Sequence, residues 1–425
     1  MSGNEQCSVG CQSTKASIRA GFPAKCPASP TSLVKQTGII GAYSGLDAEI
    51  VNLTGFFRLF DLRQQLNHYT MSTNSSVPTS SSETSSTSAA AQQRLQALTE
   101  WLRQQTTAAL QLDSLRAASA DASFRRYYRI DTEDGGSVIA MDAPPPQENV
   151  RPFMQVAALF ESLHLTVPHI LAADVEQGFL LLSDLGNTTY LHALNHDSAH
   201  QLYMDAIDSL ILMQTQSQPD ILPEYDRAFL RQELALFPEW YIGKHLGVTL
   251  DEKQTATLEK VFDEILANVC AQPQVFVHRD FHSRNLMVIH PGNPGILDFQ
   301  DARFGPITYD LVSLLRDAYV QWDEEMVLDW AIRYWESARR AGLPVNPDID
   351  SFYRDFEFMG LQRHLKILGI FSRLAHRDGK PAYLDDMPLV MSYVRKTANR
   401  YSSLIPLLRL LDAVEQTPPM AAYTF

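Results

Sequence analysis

Cysteine is scarce in this chain, with four in 425 residues, at Cys7, Cys11, Cys26 and Cys270. Three crowd the N-terminal tail at spacings that fit no standard zinc site, and one is left for everything else. That excludes a disulfide framework and points to a reducing cytoplasm. Long apolar runs are also missing. Nothing reaches the roughly 20 residues of a membrane span, and no charged segment leads into an apolar one at the N-terminus, so no membrane association is read. Basic residues are in deficit, with 35 Lys and Arg against 49 Asp and Glu and a net charge of -14. A nucleic-acid partner, which demands a basic footprint, is excluded on that ground. Internal repeats, coiled-coil heptads and basic clusters are absent too.

What is present is an ordinary globular composition, 45% hydrophobic and 20% charged, in a chain long enough for two lobes. Residues 72–90 (STNSSVPTSSSETSSTSAA) are a Ser/Thr-rich stretch that cannot bury a core. Residues 1–92 are therefore read as a disordered or non-native extension, with Met71 as the expected true start.

The rest of the chain is organised around VFVHRDFHSRNLMVIHPGNPGILDFQDARFGPITYD, Val275 to Asp310. Two apolar runs flank the turn Pro291-Gly292-Asn293-Pro294-Gly295, which makes a hairpin and should return Asp298 to the side of Asn285. Asp280, five residues before Asn285, lies in the loop that precedes it. Phosphoryl transfer from a nucleotide needs a carboxylate to orient the attacking hydroxyl and oxygen ligands for Mg2+ on the phosphates. Asp280 suits the first task; Asn285 and Asp298 suit the second. His278 is read as a hydrogen-bond partner that holds the loop.

His278-Arg279-Asp280-Phe281-His282, Asn285 and Leu297-Asp298-Phe299 resemble the aminoglycoside/choline phosphotransferase family, which shares the protein-kinase fold. His282 stands where protein kinases usually carry Lys, as in the small-molecule branch. Gly305-Pro306-Ile307-Thr308-Tyr309-Asp310-Leu311 is similar to that branch's Gly-Asp-Pro-x-x-Asp-Leu segment, with Pro306 in place of the usual Asp. Asp298-Phe299-Gln300-Asp301-Ala302 and Met141-Asp142-Ala143-Pro144 extend the likeness to the bacterial anomeric kinases of cell-wall recycling. Those enzymes phosphorylate N-acetylmuramate and N-acetylglucosamine at the C1 hydroxyl.

The resemblance implies an α+β, two-lobed fold, with a small antiparallel-sheet N-lobe over residues 93–185 for ATP and a mostly helical C-lobe over 186–425 for catalysis and the amino sugar. It places adenine against backbone groups of Ser183 and Leu185 and gives Asp310 a bracing role under the catalytic loop. It also exposes a gap, because the strand Ser137 to Met141 ends without the usual phosphate-binding Lys. Arg125, Arg126 or Arg129 could substitute, and Arg125 and Arg126 could equally sit on an exposed strand. Among the C-terminal helices, Arg363, Lys366 and Arg373 are candidates for an acidic acceptor, but their spacing reads more simply as a solvated face. Tyr241, with Trp240 and His245, is read as core in preference to a sugar site. Another small alcohol as acceptor, and a non-catalytic nucleotide-binding scaffold, stay open as alternatives.

Overall fold

The computed structural model describes residues 83–120 and 124–416. The proposed start at Met71 and the first three cysteines lie outside them.

Helix α1 (Glu83–Arg103) comes first. Its stripe Leu98, Trp101 and Leu102 is buried against the outer side of a sheet, with Trp101 5.7 Å from Phe179 between ring centres. The sheet holds β1 (Leu110–Ala120), β2 (Arg126–Thr132), β3 (Ser137–Asp142), β4 (Ile170–Asp174) and β5 (Phe179–Ser183), in the antiparallel order β1-β2-β3-β5-β4. β2 begins at Arg126, two residues after Phe124, which is 66% exposed. The turn Asp134-Gly135-Gly136 joins β2 to β3, with Gly135 at φ +86°, a conformation that suits glycine.

Helix α2 (Val150–Ser162) follows the prolines at 144–146, capped by Asn149. It buries Phe153, Val156, Ala157 and Phe160 on one face, as the periodicity requires. Its Phe153 and Phe160 meet Phe299, at ring-centre distances of 4.8 and 5.7 Å, so α2 packs directly on the residue after Asp298.

The second lobe is helical. After the short α3 (Tyr190–Ala193) come α4 (Ala199–Thr215), α5 (Arg227–Leu236) and a π-helical segment over Phe237–His245. The wider turn begins immediately before Pro238, where the missing N–H would have cost an α-helical bond. Tyr241 lies in this segment, stacked on Phe237 and bonded to Glu415, and belongs to the core as read. Next is α6 (Glu252–Val269), closed at its start by an Asp251–Gln254 capping box.

The stretch around Val275 to Asp310 supplies β6 (Gln274–Val277), the small hairpin β7 (Leu286–Met287) with β8 (Gly295–Ile296), and β9 (Arg303–Pro306), which pairs with β6. α7 (Tyr309–Leu315) is short. It ends where Arg316 turns to bind Glu357 at 3.0 Å. α8 (Glu324–Arg340), α9 (Ile349–His376), α10 (Met387–Arg400) and α11 (Ile405–Val414) complete the chain. The 28-residue α9 is the central post of this lobe, buried on nearly every side from Phe356 to Leu368.

Candidate active site

The site grows out of the loop between β6 and β7. Asp310, at the start of α7, accepts hydrogen bonds from the backbone N–H groups of His278 (2.6 Å) and Arg279 (2.9 Å). These two bonds fix the loop's entry and let Arg279 take a left-handed backbone, φ +78°. Burial pushes the Asp310 carboxyl up to about 7, although both backbone bonds favour its charged form. His278 is fully buried; its Nε2 donates to the Leu297 carbonyl at 2.9 Å and its Nδ1 accepts from the Asp280 N–H at 3.2 Å. Burial lowers its pKa to about 4, so the imidazole is neutral and holds the loop to the hairpin.

Asp280 opens onto the cleft, its side chain 40% exposed. Desolvation would raise its pKa, but Arg363, Lys366, His282 and Arg279 outweigh that and hold the carboxyl well below the usual range. Asn285 donates its amide to the Asp280 carbonyl at 3.0 Å, which leaves its Oδ1 as the atom offered to a ligand. The hairpin then does what its turn promised. Leu297 N–H bonds the Asn285 carbonyl at 2.9 Å, and Asn285 Nδ2 lies 3.5 Å from Asp298 Oδ2. Asp298 sits at φ +61°, a costly position for a non-glycine residue that turns its carboxylate at the cleft instead of continuing the strand. Gln300 orients it from 2.8 Å. An amide oxygen and a carboxylate are a donor set for a hard divalent cation completed by phosphate oxygens and water.

These three residues share one cleft of about 810 Å³ between the sheet and the helical lobe. Its lining includes Ile139, Leu182, Ser183, Leu185 and Leu297, so both expected adenine contacts are in it. Ser183 donates its N–H to the His169 carbonyl, and its carbonyl is thus the group it can offer a base.

The arginines separate. Arg129 is committed to the segment after β5, with Asp184 at 2.5 Å and the Gly186 carbonyl at 2.8 Å. It clamps the two lobes' junction and does not take the place of the missing Lys. Arg126 is exposed at the start of β2. Arg125 is the one that reaches inward, 3.6 Å from Glu148 and 4.0 Å from Asp298. Asp142, next to Met141, points away from the cleft to Arg94 at 2.8 Å, so its negative charge does not oppose a phosphate.

The reading of Arg363 and Lys366 as a solvated face is wrong. Both are buried, at 5% and 6% exposure, and face the cleft from α9. Arg363 donates to the Arg279 carbonyl at 2.8 Å; Lys366 reaches Tyr309 at 3.0 Å and Glu233 at 2.9 Å. Arg279 also bonds Glu233, at 2.7 Å. Glu233 was not anticipated at all, because its partners Tyr225, Arg279, Gln362 and Lys366 come from three separate segments and no spacing in the sequence connects them. Arg373 lies outside the cleft lining, as do Trp240, Tyr241 and His245. Three more residues of the wall, Arg284, Asp317 and Tyr319, were also missed. Arg284 is adjacent to Asn285 in the motif, the one signal that could have found it.

Residues 114–343 match the profile of the phosphotransferase enzyme family. The chain is 51% identical over 301 residues to an N-acetylmuramate/N-acetylglucosamine kinase of Neisseria meningitidis serogroup B, covering 70% of this chain and 89% of that protein. It is 48% identical over 330 residues to the protein of the same name from Pseudomonas putida, covering 76% and 97%. Among solved structures, an amicoumacin kinase in complex with AMP-PNP, Ca2+ and Ami aligns with a TM-score of 0.50 at 15% identity, over 77% of this chain and 96% of that one. That likeness concerns the protein-kinase-like fold.

Proposed function

The chain belongs to the phosphotransferase enzyme family, and from that premise we propose that it transfers the terminal phosphoryl group of ATP to the anomeric C1 hydroxyl of N-acetylmuramate and N-acetylglucosamine. The observation that carries the reading is the convergence of Asp280, Asn285 and Asp298 on one cleft, in a chain about half identical to kinases of those sugars.

Adenine enters between Ile139, Leu182 and Leu297, against the Ser183 carbonyl and the Leu185 N–H. The N-lobe, residues 93–185, thus serves the nucleotide, and residues 186–425 serve catalysis and the sugar. Asn285 and Asp298 would hold Mg2+, which when bound neutralises charge on the phosphates. Arg125, braced by Glu148, takes the phosphate-facing place that Lys holds in most kinases; Arg126 stays outside. The acceptor oxygen then forms its bond to the γ-phosphorus as the bond to ADP breaks, and its proton passes to the Asp280 carboxylate. Because neighbouring cations keep Asp280 ionised, its carboxylate is available to orient the acceptor hydroxyl.

The cations at the acceptor end disfavour the two other acceptors considered. A polycationic aminoglycoside or a quaternary ammonium would meet Arg284, Arg363 and Lys366 there. Incubation of the protein with ATP, Mg2+ and, in turn, N-acetylmuramate, N-acetylglucosamine, kanamycin and choline tests the reading. Phosphorus NMR should show a sugar 1-phosphate; turnover confined to kanamycin or choline would overturn it.

A further inference from the structure

We propose that Arg284 forms a carboxylate subsite in the acceptor end of the cleft and selects the acid-bearing sugar, N-acetylmuramate, through its lactyl carboxylate. The inference rests on the function proposed above and extends it to one residue.

Arg284 follows Asp280 by four residues in the same loop and lines the same cleft. Its guanidinium carbon stands over the Tyr319 ring, 3.5 Å from the centroid. Stacking of this kind fixes the plane of the fork while its N–H groups remain directed outward for a planar acceptor. Among the described residues its one ion-pair partner is Asp386, at 3.9 Å, which is beyond hydrogen-bond distance. The side chain is 42% exposed, so a ligand can reach it.

The other cations of the wall are already engaged. Lys366 is held by Glu233 and Tyr309; Arg363 is held by the Arg279 carbonyl and Tyr309 while it faces Asp280. Drawing either toward a substrate would break the catalytic loop's support. The nearby carboxylate of Asp317 is likewise occupied, by the N–H and hydroxyl of Ser283 and the N–H of Tyr319. Beside Tyr319 stand Phe371 and Tyr383, a continuous aromatic floor with ring centres 6.2 and 5.1 Å apart in succession. A sugar whose C1 hydroxyl points at Asp280 carries its C3 substituent two ring positions away. An acidic ether with a methyl group fits a wall that offers one fork-shaped cation next to apolar aromatic surface.

The test compares kcat and KM on N-acetylmuramate and N-acetylglucosamine for the wild type, Arg284→Met and Arg284→Lys. A charge-assisted carboxylate contact of this type is worth about tenfold or more in binding. Arg284→Met should therefore lower the kcat/KM ratio of muramate over glucosamine by about tenfold or more, through KM for the acid. Arg284→Lys, which keeps the charge and loses the fork, should fall between. An unchanged ratio, or equal losses on both sugars, overturns the subsite. Wild-type turnover of N-acetylglucosamine, which has no carboxylate, tests the proposed function separately. If the wild type turns over neither sugar, function and subsite fail together; if it turns over both and the ratio is unmoved, only the subsite fails.

Discussion

Arg363 Nη1 stands 3.8 Å from Asp280 Oδ1, and the two side chains come from elements more than eighty residues apart. The contact is long for a hydrogen bond and short for a charge pair. It therefore acts on Asp280 through its field and leaves both carboxylate oxygens open to an acceptor hydroxyl.

Arg363→Met should raise the Asp280 pKa, because the largest lowering influence on it is removed. The Asp280 carboxyl resonance, followed by carbon NMR, should then titrate at higher pH by about one unit or more, the usual effect of a cation at this distance. A titration that stays in place would show that Arg363 serves the loop alone.

Arg125→Met should raise the KM for ATP by about tenfold and lower kcat, with Arg125→Lys recovering part of both. The expectation rests on its place between Glu148 and Asp298. Unaltered ATP kinetics in the Met variant would remove Arg125 from the phosphate site.

Glu233 binds Lys366 and Arg279 from a nearly dry position. Burial would raise its pKa, but the two cations prevail and set it at about 2, below the ordinary 4.5. A depressed folded value means that the unfolded chain takes up the proton first as pH falls. Its stabilising contribution is complete above about 4.5 and is lost progressively toward about 2. Urea unfolding of wild type and Glu233→Gln should show a stability gap that is widest near neutral pH and closes between those limits. A gap that widens on acidification contradicts the assignment.

Gly369 on α9 faces the backbone of Leu236, where a Cβ would lie 2.5 Å from the carbonyl carbon and oxygen. Neither helix can yield there, since α5 passes into the π-helical segment at that residue. Gly369→Ala should cost about 1–3 kcal/mol in urea unfolding, and a neutral substitution would mean that the two helices slide apart easily.

The triplet of polar residues proposed for the site was legible because it is local. Asp280, Asn285 and Asp298 fall within nineteen residues, and a Pro/Gly turn between apolar runs is enough to fold Asp298 back to Asn285. The helices with one apolar face, α2 and α4, were legible for the same reason. Arg363 and Lys366 were misread because periodicity tells which face of a helix is apolar, not whether the other face meets water. α9 is buried all round, and its polar side lines a cleft. The edge strand β4 passed unnoticed, since Ile170–Asp174 is half-exposed and does not alternate. The bond of Arg129 to Asp184 spans fifty-five residues, and no local pattern announces it.

The account stands on Asp280 as the group that receives the acceptor's proton. Asp280→Asn keeps the shape of the site and removes the charge. Its kcat on N-acetylglucosamine should fall by two or more orders of magnitude while ATP affinity stays within a few-fold of wild type. Near-normal turnover by this variant would contradict the account.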